Sequence, residues 1–245
     1  MRRFPPEFEE LLGPRGRRIL AGRDSEVLLA RGRPAARFVA LNGALDPKKA
    51  ARCAPLLDRS LLAALSPMEQ RIPDESVLGM TENYAEKLPK TVRVLTALLE
   101  NRKAKAFAVA EEIGLVEMLR SESFHRFAAA LTPRPLTRRW GIQALCYRAG
   151  DYAGPHNDHH PEEPDARDGY LDVHLSFANS GVAHQWLVFA RGGHLCEVSS
   201  VCTVGGITAY RLPFWHYTTP LVPKRGAISK ARRWVLLGTF LFSKV

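Results

Sequence analysis

The sequence predicts an α+β fold: a jelly-roll core of about eight strands, with a layer of α-helices from the N-terminal part of the chain packed on it. Two observations predict it. The hydrophobic period changes from helical to strand-like near residue 135, where Pro133 and Pro135 punctuate the chain. Beyond that point, short segments rich in β-branched and aromatic residues follow one another without a helical pattern between them. A chain of 245 residues, 46% of them hydrophobic, also buries a sizeable core without disulfides. Residues 1–135 are expected to form a mostly helical region supporting a barrel built from residues 136–245, the two making one unit.

Asp46-Pro47 reads as an N-cap followed by proline at the first helical position, and Ser66-Pro67-Met68-Glu69 has the spacing of a capping box. Pro89 suits the opening of a helix with Val92, Leu95 and Leu99 on one face. Ala106, Val109, Ile113 and Val116 repeat at three and four, as do Phe124, Phe127, Ala128 and Leu131. The expected strands are Trp140–Tyr147, His156–Asp158, Tyr170–Phe177, Gln185–Phe189, Leu195–Val201, Gly206–Tyr210, His216–Leu221 and Trp234–Phe242.

The formal net charge of +10 is unevenly spread. Residues 1–52 and 224–245 are each at +6, and the middle is at −2. Seven acids stand between 151 and 172, an island that a protein built only to bind polyanions has no use for. The basic ends lack the interleaved aromatic residues of a single-strand groove, so a nucleic-acid partner is not expected. Cys53, Cys146, Cys196 and Cys202 are too dispersed for a C-x-x-C site. No apolar run is long enough to span a bilayer and no signal-peptide pattern opens the chain, so a cytoplasmic protein is expected.

The densest polar stretch runs from Gly150 to Pro161 and contains His156-Asn157-Asp158-His159-His160. On an extended strand, His156 and Asp158 point to the same face and can present an imidazole nitrogen and a carboxylate to one cation. His216, among Phe214, Trp215 and Tyr217 downstream, is the leading third ligand. It completes a set of two His and one carboxylate, the arrangement that leaves open positions on non-haem Fe(II). His159 and His160 read as loop residues, with supporting groups around the ligands or an alternative ligand as the other readings. His125, His174, His184 and His194 read as core or surface histidines. The acidic loop 161–169 reads equally as a lid or a solvated connector. An arginine opening the last apolar strand, Arg232 or Arg233, is costly to turn inward unless it meets an anion, and its planar fork suits a carboxylate.

These residues, in this order, resemble the Fe(II)- and 2-oxoglutarate-dependent dioxygenases, in particular their prolyl-hydroxylase-like branch. The matching text is Tyr147, then Gly150-Asp151-Tyr152, His156-Asn157-Asp158, His216 and Arg232-Arg233-Trp234, and it covers roughly residues 140–242. The resemblance implies a double-stranded β-helix as the catalytic core. It also implies Fe(II) on His156, Asp158 and His216, with 2-oxoglutarate as cosubstrate and O2 as oxidant. Arg233 would hold the far carboxylate, with Arg232 as alternate and Tyr147 donating a hydrogen bond. Arg233 is favoured because the family's arginine is often followed directly by an aromatic residue, here Trp234. Two departures stand out. The connection Lys224–Lys230 is long and basic, which makes Arg225 a third candidate, and the second arginine of the family's nucleic-acid demethylases is missing. The implied reaction is oxidative decarboxylation of 2-oxoglutarate coupled to C–H hydroxylation of a small molecule, amino acid or peptide side chain. The alternative is a non-catalytic, cupin-like metal-binding module with a basic surface for an anionic partner.

Overall fold

The computed structural model describes residues 3–24, 37–71, 91–158, 169–191 and 194–243. In chain order it contains α1 (Pro14–Leu20), β1 (Phe38–Leu41), α2 (Pro47–Ser60), β2 (Ser66–Arg71), β3 (Thr91–Leu98), α3 (Lys105–Glu112), α4 (Leu115–Leu119) and α5 (Glu122–Ala130). The strand-rich part follows with β4 (Leu136–Arg148), β5 (Tyr152–His156), β6 (Tyr170–Ala178), β7 (Val182–His184), β8 (Trp186–Arg191) and β9 (His194–Ser200). It ends with β10 (Ile207–Leu212), β11 (His216–Thr218), β12 (Val222–Pro223) and β13 (Arg232–Phe242). Helix α2 begins as its sequence predicts, with the Asp46 side chain accepting from the Lys48 and Lys49 amides and Pro47 in the first turn. Ser121 caps α5 in the same way, accepting from the Phe124 amide.

Two helical expectations are overturned. The Ser66–Glu69 segment is not a capping box but strand β2, paired antiparallel with β3 from Ser66↔Thr96 to Arg71↔Thr91. The segment carrying Val92 and Leu95 is β3 itself, bonded to β4 and β5, while Pro89 lies outside the described residues. The physical reason is legible in hindsight. Thr91, Val92, Val94 and Thr96 are β-branched and lose rotamer freedom in a helix, and Pro67 is tolerated on a strand that, among the described residues, pairs on one side only. With β1 also hydrogen-bonded to β10, the part of the chain before residue 135 adds three strands to the sheet as well as its helices.

Among the described residues the main sheet runs β1-β10-β6-β13-β4-β3-β5-β11-β8-β9, with β2 on β3 and a separate β12-β7 pair. This antiparallel sheet folds over on itself as a jelly roll with helices on one side, the double-stranded β-helix arrangement. Strand β13 shows how the layers form. Its Trp234, Leu236, Phe240 and Phe242 belong to the buried cluster that includes Phe8, Leu57, Phe124 and Phe127 of the helical part. Its alternate residues Arg233, Val235, Leu237, Thr239 and Leu241 line a cavity on the other face. Gly238 is required on the helical side, because a Cβ there would lie 2.6 Å from Phe124 Cε1. Cys53 and Cys146 are buried in this core, which pushes both thiols up to about 12 and leaves them inert. No helix among the described residues is long and apolar enough to cross a membrane.

Candidate metal and anion site

Strands β5 and β11 lie side by side with His156 directly opposite His216. Their rings are 4.3 Å apart. Asp158 Oδ1 lies 3.4 Å from His156 Nε2, and Asp158 Oδ2 lies 3.5 Å from His216 Nε2. The potential ligand atoms of the three residues are all within 4.8 Å of one another. The expected strand His156–Asp158 is corrected here, since β5 ends at His156 and Asp158 sits beyond it at a φ of +51°. That left-handed backbone is uncommon for a residue with a side chain and marks a position held by its surroundings. A turn, not the alternation of a strand, brings the carboxylate back to the two imidazoles.

Each imidazole is oriented by a backbone carbonyl. His156 Nδ1 donates to Gly154 O at 2.6 Å and His216 Nδ1 to Phe214 O at 2.9 Å, which assigns the lone pair of both rings to Nε2, facing Asp158. The Phe214 ring stacks on His216 at 4.8 Å. Burial, reinforced by the neighbouring His156, lowers His216 to about 3, so its imidazole is neutral at physiological pH. Two neutral imidazoles and one carboxylate are the donor set of a 2-His-1-carboxylate site for a divalent transition metal.

Across the same cavity, of about 510 Å³, lies Arg233. It is 3% exposed. Its Nε donates to Ser176 Oγ and its Nη1 to Gln185 Oε1, both at 2.8 Å. Gln185 is fully buried and held by its own bonds to Thr219 O and Asp151 O, so its carbonyl end is aimed at the guanidinium. Tyr147 stands opposite Arg233 in the β4–β13 register, with the guanidinium 5.1 Å from its ring centre. Burial raises the Tyr147 hydroxyl above its ordinary range, so it acts as a donor. Among the described residues Arg233 has no acidic partner. A buried cation held, among the described residues, only by neutral groups on a cavity wall has the chemistry to take an anion.

Arg232 faces the other way, its Nε 4.0 Å from Asp58, which also accepts from the Trp234 indole. Arg225 and the Lys224–Lys230 connection do not line the cavity. His125 is structural, bonded to Thr137 O and packed on Trp140. His159, His160 and loop residues 161–168 lie outside the described residues. Sequence reasoning missed Ser176, Gln185, Asp172 and Tyr210, and placed His174 among ordinary histidines, although it lines the cavity. The available signal was on β6, where Tyr170, Asp172, His174 and Ser176 alternate with Leu171, Val173, Leu175 and Phe177. Polar groups at every second position of an otherwise apolar strand mark a face turned toward a site.

No protein-family model matches the sequence, and no curated protein matches it significantly. Solved structures do match. A prolyl 4-hydroxylase from Phytophthora capsici aligns with 99% of this chain and 68% of its own at a TM-score of 0.55 and 13% identity. The non-heme alpha ketoglutarate dependent carbocyclase SnoK from nogalamycin biosynthesis aligns over 91% of this chain and 85% of its own, at 0.54 and 10%. An oxidoreductase of the 2OG-Fe(II) oxygenase family from Burkholderia pseudomallei aligns over 83% and 84%, at 0.51 and 15%. The fold of this chain is therefore that of the 2-oxoglutarate- and Fe(II)-dependent oxygenases. One of the structures that share this fold, the prolyl 4-hydroxylase, is of the branch that the order of motifs resembles.

Proposed function

We propose that the protein is a non-haem Fe(II)- and 2-oxoglutarate-dependent oxygenase that oxidises a C–H bond of a small molecule, amino acid or peptide side chain. The observation that carries this reading is the pairing, in one cavity, of the His156–Asp158–His216 cluster with a buried Arg233 that has no acidic partner among the described residues. The residues present fit both groups. His156 and His216 offer Nε2 lone pairs and Asp158 a carboxylate, and three ligands leave open positions for a chelating cosubstrate and O2. Arg233 offers a planar fork to the far carboxylate of 2-oxoglutarate, with Tyr147 beside it as a hydrogen-bond donor.

When bound, iron and 2-oxoglutarate supply the oxidising chemistry by oxidative decarboxylation to succinate and carbon dioxide. The chain's own part is positional. Gly154 O and Phe214 O lock the imidazole tautomers, Ser176 and Gln185 hold the guanidinium before any anion arrives, and Phe214 with Tyr210 keeps water from His216. The relatives in structure include prolyl hydroxylases and enzymes of nogalamycin biosynthesis, which supports either a peptide or a small-molecule substrate here. The test is anaerobic reconstitution with Fe(II) and 2-oxoglutarate, which gives a weak metal-to-ligand absorption band, followed by succinate release on admitting air. A wild-type protein with neither band nor succinate is the binding module of the alternative reading, and the oxygenase assignment fails.

A further inference from the structure

We propose that Asp172 and His174, on the cavity face of β6, form the recognition site for a cationic amino group of the substrate. The proposal deepens the oxygenase reading and rests on it. Both residues line the cavity that holds the His156–Asp158–His216 cluster and Arg233. His174 packs on Tyr210 at 4.4 Å and Tyr210 on His216 at 5.2 Å, so the pair lies one aromatic ring away from the candidate metal.

A carboxyl at 9% exposure is costly without a partner, and the fold supplies an incomplete one. Asp172 Oδ2 is 3.5 Å from His174 Nε2, and Asp172 Oδ1 and His174 Nε2 are both buried with no hydrogen-bond partner among the described residues. No Lys or Arg among those residues pairs with Asp172. The other acidic residue lining this cavity besides Asp158, Glu100, is held by Arg120. Asp172 is also too far from Arg233 to serve the same anion site. On β13, Arg233 stands opposite Ala178 and Thr239 opposite Asp172, so about 20 Å of strand separates them at ~3.3 Å per residue.

Charge decides what the pair takes. With the cofactors in place, the negative charge of Asp158 and the two of 2-oxoglutarate are met by the metal's two positive charges and that of Arg233. The carboxylate of Asp172 is then met by no metal, Lys or Arg among the described residues, and an ammonium supplies the counterpart. An ammonium has three donors, enough for a carboxylate oxygen and a ring nitrogen of the adjacent His174 that carries no proton. The carboxylate turns in a broad two-fold χ2 well, which lets Oδ1 swing to an incoming N–H.

The experiment is calorimetric titration of the anaerobic Fe(II)–2-oxoglutarate complex with n-butylamine, 1-butanol and butyrate, three probes of similar size and different charge. Butylamine is expected to bind about tenfold tighter than butanol, and butyrate not to bind at this site. Asp172→Asn, an isosteric change, should erase the amine preference, and His174→Gln should weaken amine binding by about threefold while keeping the preference. Equal binding of butylamine and butanol to the wild type, or an amine preference that survives Asp172→Asn, overturns the proposal even if Asp172→Asn alone proves unstable. The two readings fail separately. A normal absorption band with no amine preference sinks the amine site alone, whereas loss of the band in the wild type sinks the oxygenase reading and the charge balance with it.

Discussion

Arg232 and Arg233 are covalent neighbours that face opposite sides of β13. One approaches Asp58 on the helical side, and the other is clamped by Ser176 and Gln185 on the cavity wall. Strand alternation makes this division obligatory.

The division predicts different outcomes for two adjacent substitutions. Arg233→Ala removes the only arginine that lines the cavity among the described residues, and it should raise the apparent 2-oxoglutarate requirement about 30-fold or more, the equivalent of ~2 kcal/mol or more for a lost buried charge partner. Arg232→Ala should change it less than about threefold. Initial rates of succinate formation against 2-oxoglutarate concentration decide it, and equal small effects remove both residues from the role.

Loss of a candidate ligand should be distinguishable from loss of a structural histidine. His156→Ala and Asp158→Ala should each weaken Fe(II) binding by more than ~100-fold, since changes merely supporting a ligand already cost 10–100-fold. His125→Ala, on α5 and away from the cavity, should leave it unchanged. Anaerobic equilibrium dialysis reads the difference, and wild-type affinity in His156→Ala would relocate the metal site.

Packing between the helical layer and β13 depends on an absent side chain. In Gly238→Ala the new methyl would meet Phe124 at 2.6 Å and Phe240 at 2.9 Å, so destabilisation of about 1–3 kcal/mol is expected from overpacking. Urea denaturation measures it. Unchanged stability would mean that the Phe124 ring moves aside freely.

Helix α2 carries a pH signature. Hydrogen bonds from the Lys49 amide first, and then the Lys48 amide, hold Asp46 below its ordinary value of 3.8. The folded state therefore binds its proton less readily than the unfolded chain, and stability from this cap is complete above pH 3.8 and fades as pH falls through the lowered value. Asp46→Ala should lower the urea midpoint at pH 7, and the gap from wild type should shrink in acid. A gap independent of pH would assign the effect to something other than the carboxylate charge.

Much of this architecture is legible in local sequence. Seven of the eight expected strands have counterparts, the exception being His156–Asp158, the Asp46-Pro47 helix start is where it is expected, and the three candidate ligands and Arg233 stand out by residue type and order. Where local signals compete, they mislead. The spacing of Val92, Leu95 and Leu99 fits a helix stripe and the β-branching of the same segment fits a strand, and pairing with β4 and β5 settles it for the strand. Strand alternation pairs His156 with Asp158 in the sequence, yet it is a left-handed turn after β5 that brings them together.

The sequence by itself determined which residue types occur on which strands, because alternation and ligand chemistry act between near neighbours. Only the tertiary structure decided which face of each strand closes the cavity. That choice gathered Asp172, His174 and Ser176 of β6, Gln185 between β7 and β8, and Tyr210 of β10 around the site. The physical reason is that a residue's side of a sheet follows from its neighbours along the strand, whereas what it meets there is set by hydrogen-bonded register and packing between distant segments.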